Sequence, residues 1–320
     1  MGMKRRRSER YERLTHPLIR EDGVLRRATW EEALDKAAEG FRRNIERHGP
    51  DAFCMLACAR STNELNYVAQ KFTRVVIGNN NVDSCNRTCH APSVAGLAAV
   101  FGSGGGTSSY EEVEHADVIV MWGSSAREAH PIFFQHVLKG IRNGARLIAV
   151  DPRRTSTAQW ADLWLGINVG TDIPLANAVA REIIHAGLVN TTFVERATEG
   201  YEEFAAAVEP WTLEAAEKVT GVPADAIREL AHAYATADRA QLVWTLGITE
   251  HHNATDNVRA LINLALLTGH VGRYGSGLAP LRGQNNVQGG GDMGAIPNRL
   301  PGFQDILDPE VRAKFEAAWG

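Results

Sequence analysis

The stretch from Asp117 to Asp151, DVIVMWGSSAREAHPIFFQHVLKGIRNGARLIAVD, decides the fold. VIVMW and LIAV are short apolar runs unbroken by charge, the pattern of strands buried on both faces. The small-residue turn Gly123-Ser124-Ser125 and a helix near 130–143 lie between them. Gly123 has no side chain, so backbone amides near a helix start can face a phosphate there. Asp151 stands 28 residues further on, at the carboxyl end of the second strand. From that place a carboxylate accepts hydrogen bonds from ribose hydroxyls or a base edge. The full GxGxxG fingerprint is missing, so a plain dinucleotide site is not indicated, and Asp151-Pro152 can equally be a strand cap.

Working outward, the rhythm repeats. Thr29-Trp30-Glu31-Glu32 is a capping box opening an amphipathic helix to about residue 47. Ala52–Ala57 reads as a short buried strand, Thr62–Ile77 as a helix, and Gly78-Asn79-Asn80-Asn81 as a break. Pro92 opens a helix towards Val100. Leu163–Ile167 and Gln241–Leu246 are further strands; Ile173–Ala186, Pro223–Ala237 and Thr255–Leu267 are helices. The expectation is an α/β fold: mostly parallel sheets with helices on both faces.

At 320 residues, with 44% apolar and 22% charged, the chain has room for two domains and large cores. A net charge of -4 gives no reason to expect nucleic acid. No run reaches the ~18 apolar residues of a membrane span. The start, MGMKRRRSERYERL, lacks an apolar segment behind its arginines, and reads as a solvated tail rather than a signal. With four cysteines and no disulfide framework, the cytoplasm is the default.

Cys54/Cys58 and Cys85/Cys89 make two C-x3-C pairs, which a zinc site could use. Cys54 lies in the apolar run AFCMLAC, however, and is expected inside a sheet core. Cys89-His90 follows a polar turn, neighbours Arg87 and precedes a helix start. A thiolate is stabilised there and becomes a nucleophile or soft-metal ligand, while His90 can carry a proton at physiological pH. A buried structural cysteine beside a chance histidine is the plain alternative. Arg282-Gly283-Gln284-Asn285-Asn286-Val287-Gln288-Gly289-Gly290-Gly291-Asp292-Met293-Gly294 is the most unusual stretch. Its amides and glycines suit backbone bending round a polar ligand, and Arg282 offers a fork for a carboxylate. A flexible linker is the alternative.

In order, AxxSTNExNYVxQKFxRxVIGxNNVD, CxRxCHxPSVAGL, VDPRRT and PLRGQNNVQGGGDMG resemble formate dehydrogenase catalytic subunits of the molybdopterin oxidoreductase family, from about Arg13 to Trp319. By that resemblance Cys89 ligates molybdenum (or tungsten), His90 handles a proton and Arg282 holds formate. The resemblance implies a bis-molybdopterin guanine dinucleotide cofactor. Its pocket would draw on Arg60, Gly123, Ser125, Asp151, Arg153, Gly170, Asp172, Glu250 and Gln284. Ser125 stands where the family frequently has asparagine, and Glu250 where it has glutamine.

The resemblance further implies two Rossmann-like αβα domains, one inserted in the other. Residues 85–284 form the insert, and 1–84 with 285–320 form part of the second domain. The family's cysteine-rich iron–sulfur domain is not found after Met1, nor is its C-terminal barrel, so a fragment inactive alone is expected. An electron-transfer subunit or domain would take the electrons. A non-catalytic pterin- or nucleotide-binding module, another molybdopterin oxidoreductase and a zinc-stabilised structural protein remain as other readings. Cys89, His90 and Arg282 are expected to meet in one cleft.

Overall fold

The computed structural model describes residues 13–320, so most of the basic start lies outside the described residues. Five strands build the main sheet: β1 (Val118–Trp122), β2 (Arg146–Val150), β3 (Leu163–Leu165), β4 (Ala240–Trp244) and β5 (Gly277–Pro280). Their order is β3-β2-β1-β4-β5, and every pairing is parallel. In register, Trp122 lies opposite Val150 on one side and Trp244 on the other.

Side chains alternate across such a sheet, and both faces are apolar. Val118, Val120 and Trp122 join Ile148, Val150, Leu242 and Trp244 on one face. Three helices cover it, α3 (Asp172–His185), α4 (Ala224–Thr236) and α5 (Ala254–Thr268), through Leu175, Val179, Ile183, Leu230, Leu261 and Leu264. Ile119, Met121, Leu147 and Val243 face the other way, under Phe133, Phe134 and Val137 of helix α2 (Pro131–Arg142). Burying each such side chain is worth ~1.5–3 kcal/mol, so this sandwich dominates the stability.

Outside the sheet, Thr29 caps a helix at Trp30–His48 by accepting from the Glu32 amide, as the capping box predicts. The Thr62–Ile77 helix divides into Asn63–Lys71 and a wider π-helical turn at Phe72–Ile77, closed by Gly78 at φ 85°. The predicted strand 52–57 shrinks to Met55–Ala57, paired in parallel with Val82–Ser84 in a two-stranded sheet. It is not buried: Leu56 is 81% exposed and Cys54 is exposed too. That corrects the expectation of a core position for Cys54. An apolar run supplies burial only where other elements cover it, and here Cys54 lies on the rim of an open hollow beside Phe41 and Phe53.

The glycine-rich stretch also departs from the reading of a ligand-hugging loop. Val287–Asp292 is a short helix, with Asn286 Nδ2 donating to the Ser61 carbonyl (2.7 Å) and Asn86 Nδ2 to the Val287 carbonyl (2.6 Å). Gly289 faces Asn63, where a side chain would collide. These glycines serve close packing of helices; only Gly283 and Gln284 of the stretch line the cleft described next. No helix among the described residues is long and apolar enough to cross a membrane.

Candidate functional site

In a parallel sheet of this order, connections after β1 and β4 leave towards opposite faces and open a crevice at their carboxyl ends. The crevice is present, with a volume of about 720 Å³. Arg60, Cys89, Gly123, Ser125, Asp151, Arg153, Gly170, Asp172, Glu250 and Gln284 all line it. Backbone contact holds its floor: Gly123 (φ 59°) approaches Gly247 so closely that a Cβ on Gly247 would sit 2.5 Å from the Gly123 Cα. The Gly247 amide and the Thr245 hydroxyl both donate to the Gly123 carbonyl, at 3.1 and 2.7 Å.

Two carboxylates sit against the wall. Asp172 is buried at the first turn of α3 and accepts from the Trp122 indole N–H at 2.8 Å. Burial raises its pKa despite that bond. Asp151 accepts from the Arg153 amide at 2.8 Å, and burial raises its pKa as well. Strand capping and cleft lining are therefore both true of Asp151.

Cys89 and His90 lie between a short helical turn at Asn86–Cys89 and a helix, α1, spanning Ala91–Phe101. Cys89 is buried with Ala59 and Val287, and Cys85 packs against them. Burial pushes the Cys89 thiol up, outweighing the Gly283 amide and the Arg282 cation. The expectation of a thiolate stabilised by its sequence neighbours is thereby corrected: without a metal the thiol form is favoured, because desolvation penalises the anion more than nearby dipoles help it. His90 is 1% exposed, and burial with the Arg282 charge drives its pKa down to about 4. It is neutral at physiological pH as placed, contrary to the reading of a ready cation.

A buried chain of hydrogen bonds sets its orientation. The Trp244 indole donates to Ser93 Oγ at 2.9 Å, and Ser93 Oγ lies 2.9 Å from His90 Nδ1. In the tautomer where the Ser93 hydroxyl donates to Nδ1, the neutral ring carries its own proton on Nε2. That Nε2 is buried without a partner among the described residues.

Arg282 follows β5 and Leu281, whose amide donates to the Trp244 carbonyl. Its guanidinium donates to the Gly104 carbonyl (3.0 Å) and sits near enough to Cys89 for their charges to interact. Burial lowers the Arg282 pKa, and no carboxylate among the described residues offsets this. The fold thus brings Cys89, His90 and Arg282 together across 192 residues of sequence. Cys85 belongs here too, donating to Gln284 Oε1 at 2.7 Å, whereas Cys54 is exposed beside the start of the Met55–Ala57 strand. His130, Gly247 and His251 also line the cleft and went unread. A glycine just beyond a strand, in TLG as in MWG, was the signal for Gly247.

The fold and cleft define a protein of the parallel-sheet α/β class with an open crevice at its strand ends. A molybdopterin oxidoreductase family model matches residues 13–314, and the chain belongs to that family. It is 44% identical over 308 residues to F420-dependent formate dehydrogenase 2 subunit alpha of Methanococcus maripaludis, covering 96% of this chain and 45% of that protein. Formate dehydrogenase H of Escherichia coli is 44% identical over 311 residues, covering 96% and 44%. The chain therefore spans less than half the length of these relatives. Among solved structures, acetylene hydratase from Pelobacter acetylenicus superposes with a TM-score of 0.70 at 25% identity, covering 84% of this chain and 37% of that one.

The family implies a molybdenum or tungsten pterin cofactor, and the residues present fit one. A soft sulfur lies at the inner end, with Arg60 and Arg153 for phosphates. Gly123 and Gly247 close the floor backbone against backbone, and Asp151 and Asp172 offer acceptors for a base or ribose.

Proposed function

We propose that this chain supplies the molybdenum-binding cysteine and much of the pterin-nucleotide cleft of a formate-oxidising enzyme. The observation that carries the reading is the meeting of Cys89, His90 and Arg282: Cys89 lines the cleft together with all the other residues the resemblance named, and His90 and Arg282 lie beside it. The reaction takes formate to CO2, one proton and two electrons, and the bound metal–pterin group supplies the two-electron acceptance. Cys89 Sγ is the ligand to the metal. Arg282, half-buried and unopposed by a carboxylate among the described residues, orients formate through a charge-assisted pair. His90, neutral as placed, carries its proton on Nε2 and can take up a second at Nδ1 when Ser93 turns its hydroxyl away.

Arg60, Gly123, Ser125, Arg153, Gly170, Glu250 and Gln284 would hold a bis-molybdopterin guanine dinucleotide, with Asp151 and Asp172 at its ribose or base. On this reading 85–284 is the inserted domain, and 1–84 with 285–320 part of its host. An electron-transfer subunit or domain takes the electrons, the setting is cytoplasmic, and these 320 residues alone do not oxidise formate. The test is formate oxidation with an artificial electron acceptor by the complete, molybdenum-loaded enzyme containing this chain. Cys89→Ala should abolish turnover, and Arg282→Ala should raise the formate KM about 100-fold, the loss of a charge-assisted bidentate contact. A Cys89→Ala enzyme with unimpaired formate oxidation and molybdenum content would sink the assignment.

A further inference from the structure

We propose that His130 and the Gly104 carbonyl are positioning groups that hold Arg282 at the cleft, the first by its backbone and the second by its guanidinium. The inference deepens the formate reading and rests on it. An arginine side chain carries about 2 kcal/mol of rotamer entropy, so a carboxylate-binding arginine gains from being held before the substrate arrives.

His130 is itself rigidly based. Its amide donates to the Ala126 carbonyl (2.8 Å), its own carbonyl accepts from the Phe134 amide (3.0 Å), and Pro131 opens the next helix. From that base the ring reaches across the cleft, and Nε2–H donates to the Arg282 carbonyl at 3.0 Å. Nδ1 is buried with no partner among the described residues, so this bond is the one the imidazole makes. It ties the connection after β1 to the connection after β5, two loops that otherwise belong to separate crossovers.

The guanidinium end is held from the opposite side. Gly104 accepts from an Arg282 N–H at 3.0 Å, and it lies so close to α1 that a Cβ would meet Val94 Cγ1 at 2.6 Å and Val94 Cα at 3.1 Å. Gly106 is similarly tight, its Cβ position 3.1 Å from the Leu278 carbonyl. The glycine cluster 102–106 thus lets backbone pass between α1 and β5. Because α1 begins directly after Cys89-His90, the helix that presents the cysteine also fixes the guanidinium.

The experiment uses the complete molybdenum-loaded enzyme containing this chain as wild type, His130→Ala, His130→Gln and Gly104→Ala. It reads formate KM and kcat, molybdenum content, and the rise in thermal midpoint that formate causes without electron acceptor. His130→Ala should raise KM about tenfold with kcat within threefold and molybdenum retained, and should shrink the formate-induced rise. His130→Gln, whose amide can donate from nearly the same place, should return KM to within about threefold of wild type. Gly104→Ala should also raise KM, from the guanidinium side. A wild-type KM in His130→Ala, or equal damage in the alanine and glutamine variants, would overturn the proposal. A wild type that does not oxidise formate would instead overturn the reading beneath it, and would show this before any variant is made.

Discussion

Gly247→Ala tests the architecture of the cleft floor. The new Cβ would sit 2.5 Å from the Gly123 Cα, 2.7 Å from its oxygen and 2.9 Å from its carbonyl carbon, against the ~3.5 Å of an ordinary carbon contact. All three are backbone atoms, and Gly123 cannot easily retreat, because its amide donates to the Val150 carbonyl at 2.8 Å. Relief requires the loops after β1 and β4 to part by about 1 Å, stretching the Gly247 and Thr245 bonds to the Gly123 carbonyl. Two hydrogen bonds at ~0.5–1.5 kcal/mol each, with ~1–3 kcal/mol of overpacking, give a destabilisation of roughly 4 kcal/mol.

The thermal midpoint of the enzyme, followed by circular dichroism, should fall by about 5 °C or more. Gly170→Ala separates the causes: φ there is 85° with open space around it, so the cost is dihedral alone, ~1 kcal/mol. Gly123→Ala combines both penalties and should be the worst of the three. A Gly247→Ala protein melting within about 1 °C of wild type would refute the argument that backbone contact closes the cleft floor.

Two further outcomes follow from burial. His270 is 1% exposed, donates from Nε2 to the Tyr234 carbonyl at 2.9 Å, and has its pKa pushed by burial down to about 4. The unfolded chain binds the proton first, so this contribution, ~3 kcal/mol, is present above pH ~6.5 and lost as pH falls towards 4. Stability measured by urea unfolding should therefore drop across that window less steeply in His270→Gln; an identical slope contradicts the assignment. Among the thiols, exposed Cys54 should react with a disulfide reagent well before Cys89, whose thiol is buried and pushed up in pKa, as mass mapping would show; Cys89 modified first would contradict it.

Legibility in the sequence followed the range of the interaction. VIVMW and LIAV declared themselves as doubly buried strands, and Thr29 with Glu32 declared a helix start, because those preferences are local. Gly277–Pro280 was not read: four residues bounded by glycine and proline form a strand here because β4 offers them a partner. Cys54 shows the same limit from the other side, since an apolar run cannot say whether anything covers it. The cleft residues were named by motif, but their meeting is a property of the strand order, which places Gly123, Asp151 and Gly247 at adjacent strand ends. His130 acquires its bond to Arg282, and Cys89 its raised pKa, from chain distant in sequence. Local patterns encode which segments become strands and helices; burial, charge state and the partner of each polar group depend on what the tertiary fold sets beside them.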